Sequence, residues 1–502
     1  MKRIIYFIIT LFVFLGFVSC YEDKGNYDYH ELPNIQFETE SELFVKQFDT
    51  LKIPTVINLD GTSESDYEFT WRIWSNGVLG TYNQKEIAKT KDLTYIVGEA
   101  PGSYTLALTC QNKKTGVKDY NTIKLSVHGT ITEGWMVLQE KDGLTDFSMI
   151  MSPFFSKRVE RDQVINNIYE SVNGEPLEGK GVKIGNYFAL GRYQYVTILT
   201  DKGGVRMDAT TMQKTYDIST LMLDKKPLKP ENYYYFNYYY SLGRGCEVII
   251  SDGRFYENTL LGTGFTEPVA RQGETYKASP YGAKWTWTFN GIIFDELKGR
   301  FLAVDRYQNL GPLPDATGRL FDWNNLHGTL KYMDTGFNHY EYALVQDWNT
   351  KISSLYVMNF DEKKDFDIAM YNAKNCPEIE NAAFYAVGER GNIFFYATER
   401  DVYQYDYAGS NAGKKAYTLK DAQEKITGMK IFKPCVDRFI PNHPYNNKIL
   451  VLSTFNQSKR EGKVYMYYFN ESNGTIDMSS EKVFGGFGEI LDMEYNYPKY
   501  GS

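Results

Sequence analysis

The chain has 502 residues, 42% of them hydrophobic and 24% charged, the proportions of an ordinary folded protein. Its formal net charge is −8, with no basic cluster anywhere, which argues against nucleic acid and against polyanionic ligands in general. Aromatic residues reach 16%, including 42 tyrosines. Tyrosine favours strands and tolerates a half-wet position. Helix-period segments are almost missing, while strand-like runs between Gly, Asn and Asp turns recur throughout, so the fold class is all-β.

In chain order, Lys2 and Arg3 precede an apolar run from Ile4 to Val18. It is too short to span a bilayer comfortably and has the length of a secretory signal's apolar core. Phe17-Val18-Ser19-Cys20 resembles the lipobox of bacterial lipoproteins, in which the cysteine is acylated (palmitate) and becomes the new N-terminus. Phe17 departs from the leucine usual at that position. Residues 1–19 are therefore read as the signal, Cys20 as the lipidation site and residues 20–34 as a tether. Glu22-Asp23 resembles the surface-export signal of Bacteroidetes lipoproteins, placing the expected location on the outer membrane, facing outward. The mature balance is 53 basic residues against 63 acidic, so the lipid, not charge, must hold the chain on its membrane.

Residues 35–130 are predicted to form a β-sandwich. Thr50–Ile53, Tyr67–Trp74, Ser103–Leu108 and Asn121–Val127 each alternate apolar and polar residues, with turn signals between. Tyr67-Glu68-Phe69-Thr70-Trp71, Pro101-Gly102-Ser103-Tyr104-Thr105-Leu106 and Thr115-Gly116 resemble the polycystic-kidney-disease (PKD) type of immunoglobulin-like domain. The opening from Tyr21 to Tyr27 resembles the PKD-like lipoproteins of Bacteroidetes. Ser75-Asn76-Gly77 stands where the main family has Gly-Asp-Gly, which favours a divergent branch. The resemblance covers about a quarter of the chain and brings no catalytic residues.

Residues 131–502 show a recurring hairpin, beginning at 134, 196, 247, 292, 342, 383 and 448, with turns such as Asp142-Gly143 and Asp252-Gly253. The spacings are 62, 51, 45, 50, 41 and 65. A strand-only period near fifty predicts propeller blades, seven by this count, with six or eight open and a large sandwich or two smaller β domains as the alternative.

No chemical motif accompanies this scaffold. The five histidines are never within four residues of one another, and no nucleophile elbow or phosphate loop occurs. Asp361 to Asp367 lacks the glycine and glutamate of a calcium loop and reads as a solvated turn. Of the cysteines after Cys20, Cys110 reads as a buried hydrophobe, and Cys376–Cys435 is the one pair to test for a bridge, expected absent. No catalytic residue, metal site or cofactor is assigned. Tyr238, Tyr239 and Tyr240, in the run from Tyr233, together with Trp285 and Trp287, are candidates for ligand stacking, weighed against inter-blade packing. The resemblance implies an accessory lipoprotein of a SusC/SusD-type uptake system. The expected function is non-enzymatic binding of a glycan, peptide or protein, and the rival is a polysaccharide hydrolase or lyase using paired carboxylates.

Overall fold

The computed structural model describes residues 34–38, 40–58, 63–76, 84–129, 133–189, 193–236, 246–259, 264–270, 274–286, 288–305, 307–434 and 443–496. Two compact units emerge: Met1–Leu43, Leu51–Tyr95 and Ser103–Leu125 form the first, and Phe44–Thr50, Ile96–Gly102 and Ser126–Ser502 the second.

The strands from Asn34 to His128, which fall mostly in the first unit, form a sandwich. Its main sheet runs Glu42–Lys46, Lys118–His128, Gly102–Asn112, Tyr67–Ser75, Lys85–Ala88, and two-stranded sheets pair Asn34–Phe37 with Thr55–Asn58 and Thr50–Ile53 with Leu93–Ile96. Strand Tyr67–Ser75 buries Tyr67, Trp71 and Ile73. Trp71 is fully buried, lies 5.5 Å from the Phe37 ring and donates from Nε1 to Lys91 O at 3.1 Å. Cys110 is buried, on the face shared with Leu106 and Leu108, a small hydrophobe as its place in the alternation implied.

The second unit is a seven-bladed β-propeller. Its seven sheets have as innermost strands, in chain order, Gly181–Ala189, Pro230–Phe236, Ala278–Gly282, Gly328–Thr335, Phe384–Val387, Glu424–Ile431 and Glu489–Asn496, each beside the next around the axis. Glu489–Asn496 does not begin a blade. It pairs antiparallel with Gly134–Lys141 and completes the sheet that continues through Leu144–Met151 to Gln163–Ile165. Blade 1 is thus closed by the two ends of the propeller, which leaves no unpaired edge at the seam. Blades 2 to 7 follow from Gly181; among the described residues blade 3 has three strands, and blade 4 gains Val269–Ala270 parallel to Asn309–Pro312.

Seven apolar clusters of described residues lie one at each blade–blade seam. The middle strands are buried on both faces. Gly291–Asp295 is buried throughout, which explains near-continuous apolar runs where a one-sided sheet would alternate. The turns Asp142-Gly143 and Asp252-Gly253 have positive φ at both residues (54° and 81°, 51° and 68°), the conformation that a two-residue hairpin of this twist requires.

Six of the seven hairpins read from the sequence are the second and third strands of a blade. The exception is the one at 383: Phe384–Val387 and Phe394–Ala397 are the first and second strands of blade 6, and the equivalent hairpin is Phe394–Ala397 with Asp401–Asp406. Counted from 394, the outlying spacings 41 and 65 become 52 and 54. A four-stranded blade contains three successive hairpins, and periodicity alone does not say which one is being counted.

Candidate functional site

The inner strands enclose a cavity of about 500 Å³ on the propeller axis. All seven blades line it, chiefly with the C-terminal halves of those strands and the connections that follow. Its walls differ in chemistry. Blades 3 to 6 contribute aromatic rings, among them Tyr235, Tyr281, Tyr332 and Tyr385. Tyr332 lies edge-on to Tyr281 at 5.8 Å and stacked on Tyr385 at 5.7 Å. Gly185 faces this wall from blade 2: a Cβ there would meet the Tyr233 ring at 2.5 Å, so glycine lets the ring lie against the strand.

Charge enters from two clusters. In the first, Asp492 of blade 1 bridges Lys183 of blade 2 (3.1 Å) and Lys430 of blade 7 (3.5 Å), and Lys430 also meets Glu494 at 3.0 Å. The backbone N–H of Ile184 donates to the second Asp492 oxygen at 3.1 Å. Burial pushes the Asp492 carboxyl up, but the two ammonium groups outweigh it and hold it below the usual range. For Lys183 the balance is reversed, and burial brings its ammonium below the ordinary value against the pull of Asp492.

In the second cluster Asp334, at the end of the blade 5 inner strand, bridges Lys284 of blade 4 (2.8 Å) and Lys433 of blade 7 (2.6 Å). Burial opposes ionisation of Asp334, and the two lysines overcome it, holding the carboxyl well below its ordinary value. Tyr332 also donates to Asp334 at 3.1 Å.

Behind this cluster lies Glu341, 1% exposed. One of its oxygens accepts from Lys284 N (2.9 Å), Trp285 N (2.7 Å) and Thr335 Oγ1 (2.7 Å). Burial, with Asp334 nearby, pushes its carboxyl up to about 7. Glu389 of blade 6 lines the cavity, and burial raises its carboxyl as well. Glu341 therefore pins the start of the connection that carries Lys284 and Trp285 to the end of blade 5.

Trp285, a stacking candidate, is half-buried and lines the cavity. Its ring stacks on His339 at 4.7 Å, and its Nε1 donates to Asp361 Oδ2 at 2.9 Å. The segment from Asp361 is therefore more than the solvated turn expected of it, since Asp361 holds an indole and Phe366 is fully buried. Tyr233 and Tyr234 are buried in the blade 3 inner strand, where the Tyr233 hydroxyl donates to Glu247 at 2.7 Å. Tyr238, Tyr239, Tyr240, Trp287, Cys20 and Cys435 lie outside the described residues, and Cys376 is a buried free thiol. Among the described residues no cluster of His, Cys, Asp or Glu has metal-holding geometry, and no helix is long and apolar enough to cross a membrane.

The axial lysines and carboxylates do not stand out in the sequence. Their signal is a charge inside an otherwise buried strand, as in Lys183, Lys430, Asp492 and Glu494. It becomes legible only once the strand is known to be the innermost of its blade.

No curated protein matches this chain. The solved structures it resembles include a quinoprotein alcohol dehydrogenase-like protein from Bacteroides thetaiotaomicron, at 12% identity and a TM-score of 0.54, covering 93% of this chain and 100% of that one. The extracellular domain of a hybrid two-component system from the same organism aligns at 10% identity and a TM-score of 0.38, over 91% of this chain and 69% of that one. A DUF4784 family protein from Bacteroides caccae aligns at 9% identity and 0.30, over 77% and 96%. The first likeness is one of fold, and the other two fall too low to add to it. Residues 20–181 match the PKD-like family, a stretch that runs beyond the sandwich and through the first three strands of blade 1 to Gly181. Over residues 20–181 this chain is thus similar to the PKD-like family, and beyond them it continues as the rest of a seven-bladed propeller.

Proposed function

We propose that the chain is a lipid-anchored outer-membrane protein, facing outward, whose axial cavity binds a ligand without turning it over. Acylation at Cys20 supplies the anchor, and a SusC/SusD-type uptake system is the proposed partner. The observation that carries this reading is the axial cavity itself: about 500 Å³, within the range of small-ligand sites, with an aromatic wall beside fixed polar groups. Its two lysine-bridged carboxylates, Asp334 and Asp492, are held ionised in salt bridges, an arrangement suited to hydrogen-bonding a ligand and poor at donating a proton.

The test is capture of ligands from glycan and peptide arrays by the full chain and by the Lys284→Gln and Tyr235→Ala variants. Binding lost in both variants at unchanged melting temperature supports the axial site. Binding retained in both overturns it.

A second reading, hydrolysis or lysis of a polysaccharide, draws on one observation. Glu341 has a carboxyl pushed up to about 7 while neighbouring Asp334 is pushed down, the division of labour that acid–base pairs use. Release of new reducing ends that disappears in Glu341→Gln would favour it.

A further inference from the structure

Resting on the axial cavity as the binding site, we infer that its occupant is a neutral, hydroxyl-rich ligand: the end of an uncharged oligosaccharide. Four lysines line the cavity, Lys183, Lys284, Lys430 and Lys433, and so do four carboxylates, Asp334, Glu389, Asp492 and Glu494. Formal charge cancels, in a chain that is acidic as a whole. An anionic ligand gains no net attraction there, and a cationic one would have to compete with lysines already seated on the carboxylates. An apolar ligand would strip solvent from eight ionisable groups and return no hydrogen bond.

The hydrogen-bonding capacity is nevertheless far from spent. An ammonium group carries three donors. Among the described residues Lys183 meets only Asp492 and Lys284 meets only Asp334, while Lys430 meets Asp492 and Glu494. Each keeps at least one N–H without a protein acceptor, and their side chains are 23%, 40% and 27% exposed. The Tyr281 hydroxyl, half-buried in the same wall, has no hydrogen-bond partner among the described residues and is influenced by the charges of Lys284 and Asp492.

A sugar hydroxyl donates one hydrogen bond and accepts others. It can accept from a lysine and donate to the adjoining carboxylate without separating the pair, so each Lys–Asp–Lys row suits neighbouring hydroxyls on one ring. The facing tyrosines offer ring surface for the apolar faces of the sugar.

The experiment is titration calorimetry of the full chain with three probe sets: neutral gluco-, manno- and galacto-oligosaccharides, oligogalacturonates, and hexapeptides. Tyr281→Phe, which removes one oxygen and keeps the ring, is compared throughout. The expected result is binding of a neutral oligosaccharide, weakened about tenfold by Tyr281→Phe at unchanged melting temperature. Tighter binding of oligogalacturonate, or binding of a peptide alone, with either weakened by Lys284→Gln, overturns the neutral-sugar inference and leaves the axial site standing. Sugar binding that is indifferent to both Tyr281→Phe and Lys284→Gln overturns the inference together with the axial site. Absence of binding by the neutral gluco-, manno- and galacto-oligosaccharides overturns it as well.

Discussion

Lys433 Nζ lies 2.6 Å from Asp334 Oδ2, so a residue of blade 7 reaches past blade 6 to the end of blade 5. The same ammonium donates to Thr335 O at 2.8 Å. Seam packing ties each blade only to its two neighbours, whereas this pair ties blades that are not adjacent. Removing the carboxylate leaves Lys284 and Lys433 as neighbouring cations without their shared partner. Asp334→Ala should therefore destabilise the propeller by about 3 kcal/mol in chemical denaturation. A double-mutant cycle with Lys433→Met should recover part of that loss, and additive losses would show the pair to be uncoupled.

Glu341 predicts a pH dependence of opposite sign from that of the salt-bridged carboxylates. Its carboxyl is raised from 4.5 to about 7 by burial, with Asp334 adding to the rise and Thr335, Lys284 N and the Lys284 charge opposing it. The folded state thus holds this proton more tightly than the unfolded state does. Its contribution is fully present below pH 4.5 and is lost as pH rises through about 7. Glu341→Gln, which keeps an uncharged polar side chain, should flatten the fall in melting temperature between pH 5 and 8. An unchanged slope would show that Glu341 is not its source.

Arg206 and Glu247 form a buried pair between blades 2 and 3, 4% and 0% exposed. The guanidinium lies between 5.4 and 5.7 Å from the rings of Tyr187, Tyr195 and Phe265, and Glu247 also accepts from Asn258 at 2.9 Å. Arg206→Met strands a carboxylate in the core and should cost about 3 to 5 kcal/mol. Arg206→Met combined with Glu247→Gln should be the more stable of the two variants in urea denaturation.

Ring closure rests on Glu489–Asn496. Truncation after Gly488 removes the innermost strand of blade 1, exposes the edge of Gly134–Lys141 and takes both Asp492 and Glu494 from Lys183 and Lys430. The truncated chain should lose the cooperative thermal transition of the propeller and gain protease sensitivity throughout residues 134–488. A transition of normal midpoint would mean that the ring holds without its closing strand.

Anchoring is tested separately. Cys20→Ala should release the protein from the membrane fraction or leave its signal uncleaved. Detergent partitioning that matches the wild type would remove Cys20 as the attachment point.

Legible in the sequence alone were the all-β class, four of the sandwich strands and the blade period. Alternation in Tyr67–Ser75 and turns such as Asp142-Gly143 follow from local rules, since side-chain direction and turn conformation depend on a few consecutive residues. The same locality limited the reading at blade 6, where any of three hairpins satisfies the pattern. Closure of blade 1 by Glu489–Asn496 could not be read locally, because its partner Gly134–Lys141 lies at the other end of the propeller. The axial site is farther still from local rules. Lys183 and Asp492 are 309 residues apart, and Asp334 and Lys433 are 99 apart. A lysine within a strand looks the same whether it faces solvent or an axis, and the tertiary structure decides the matter by making its strand the innermost of a blade.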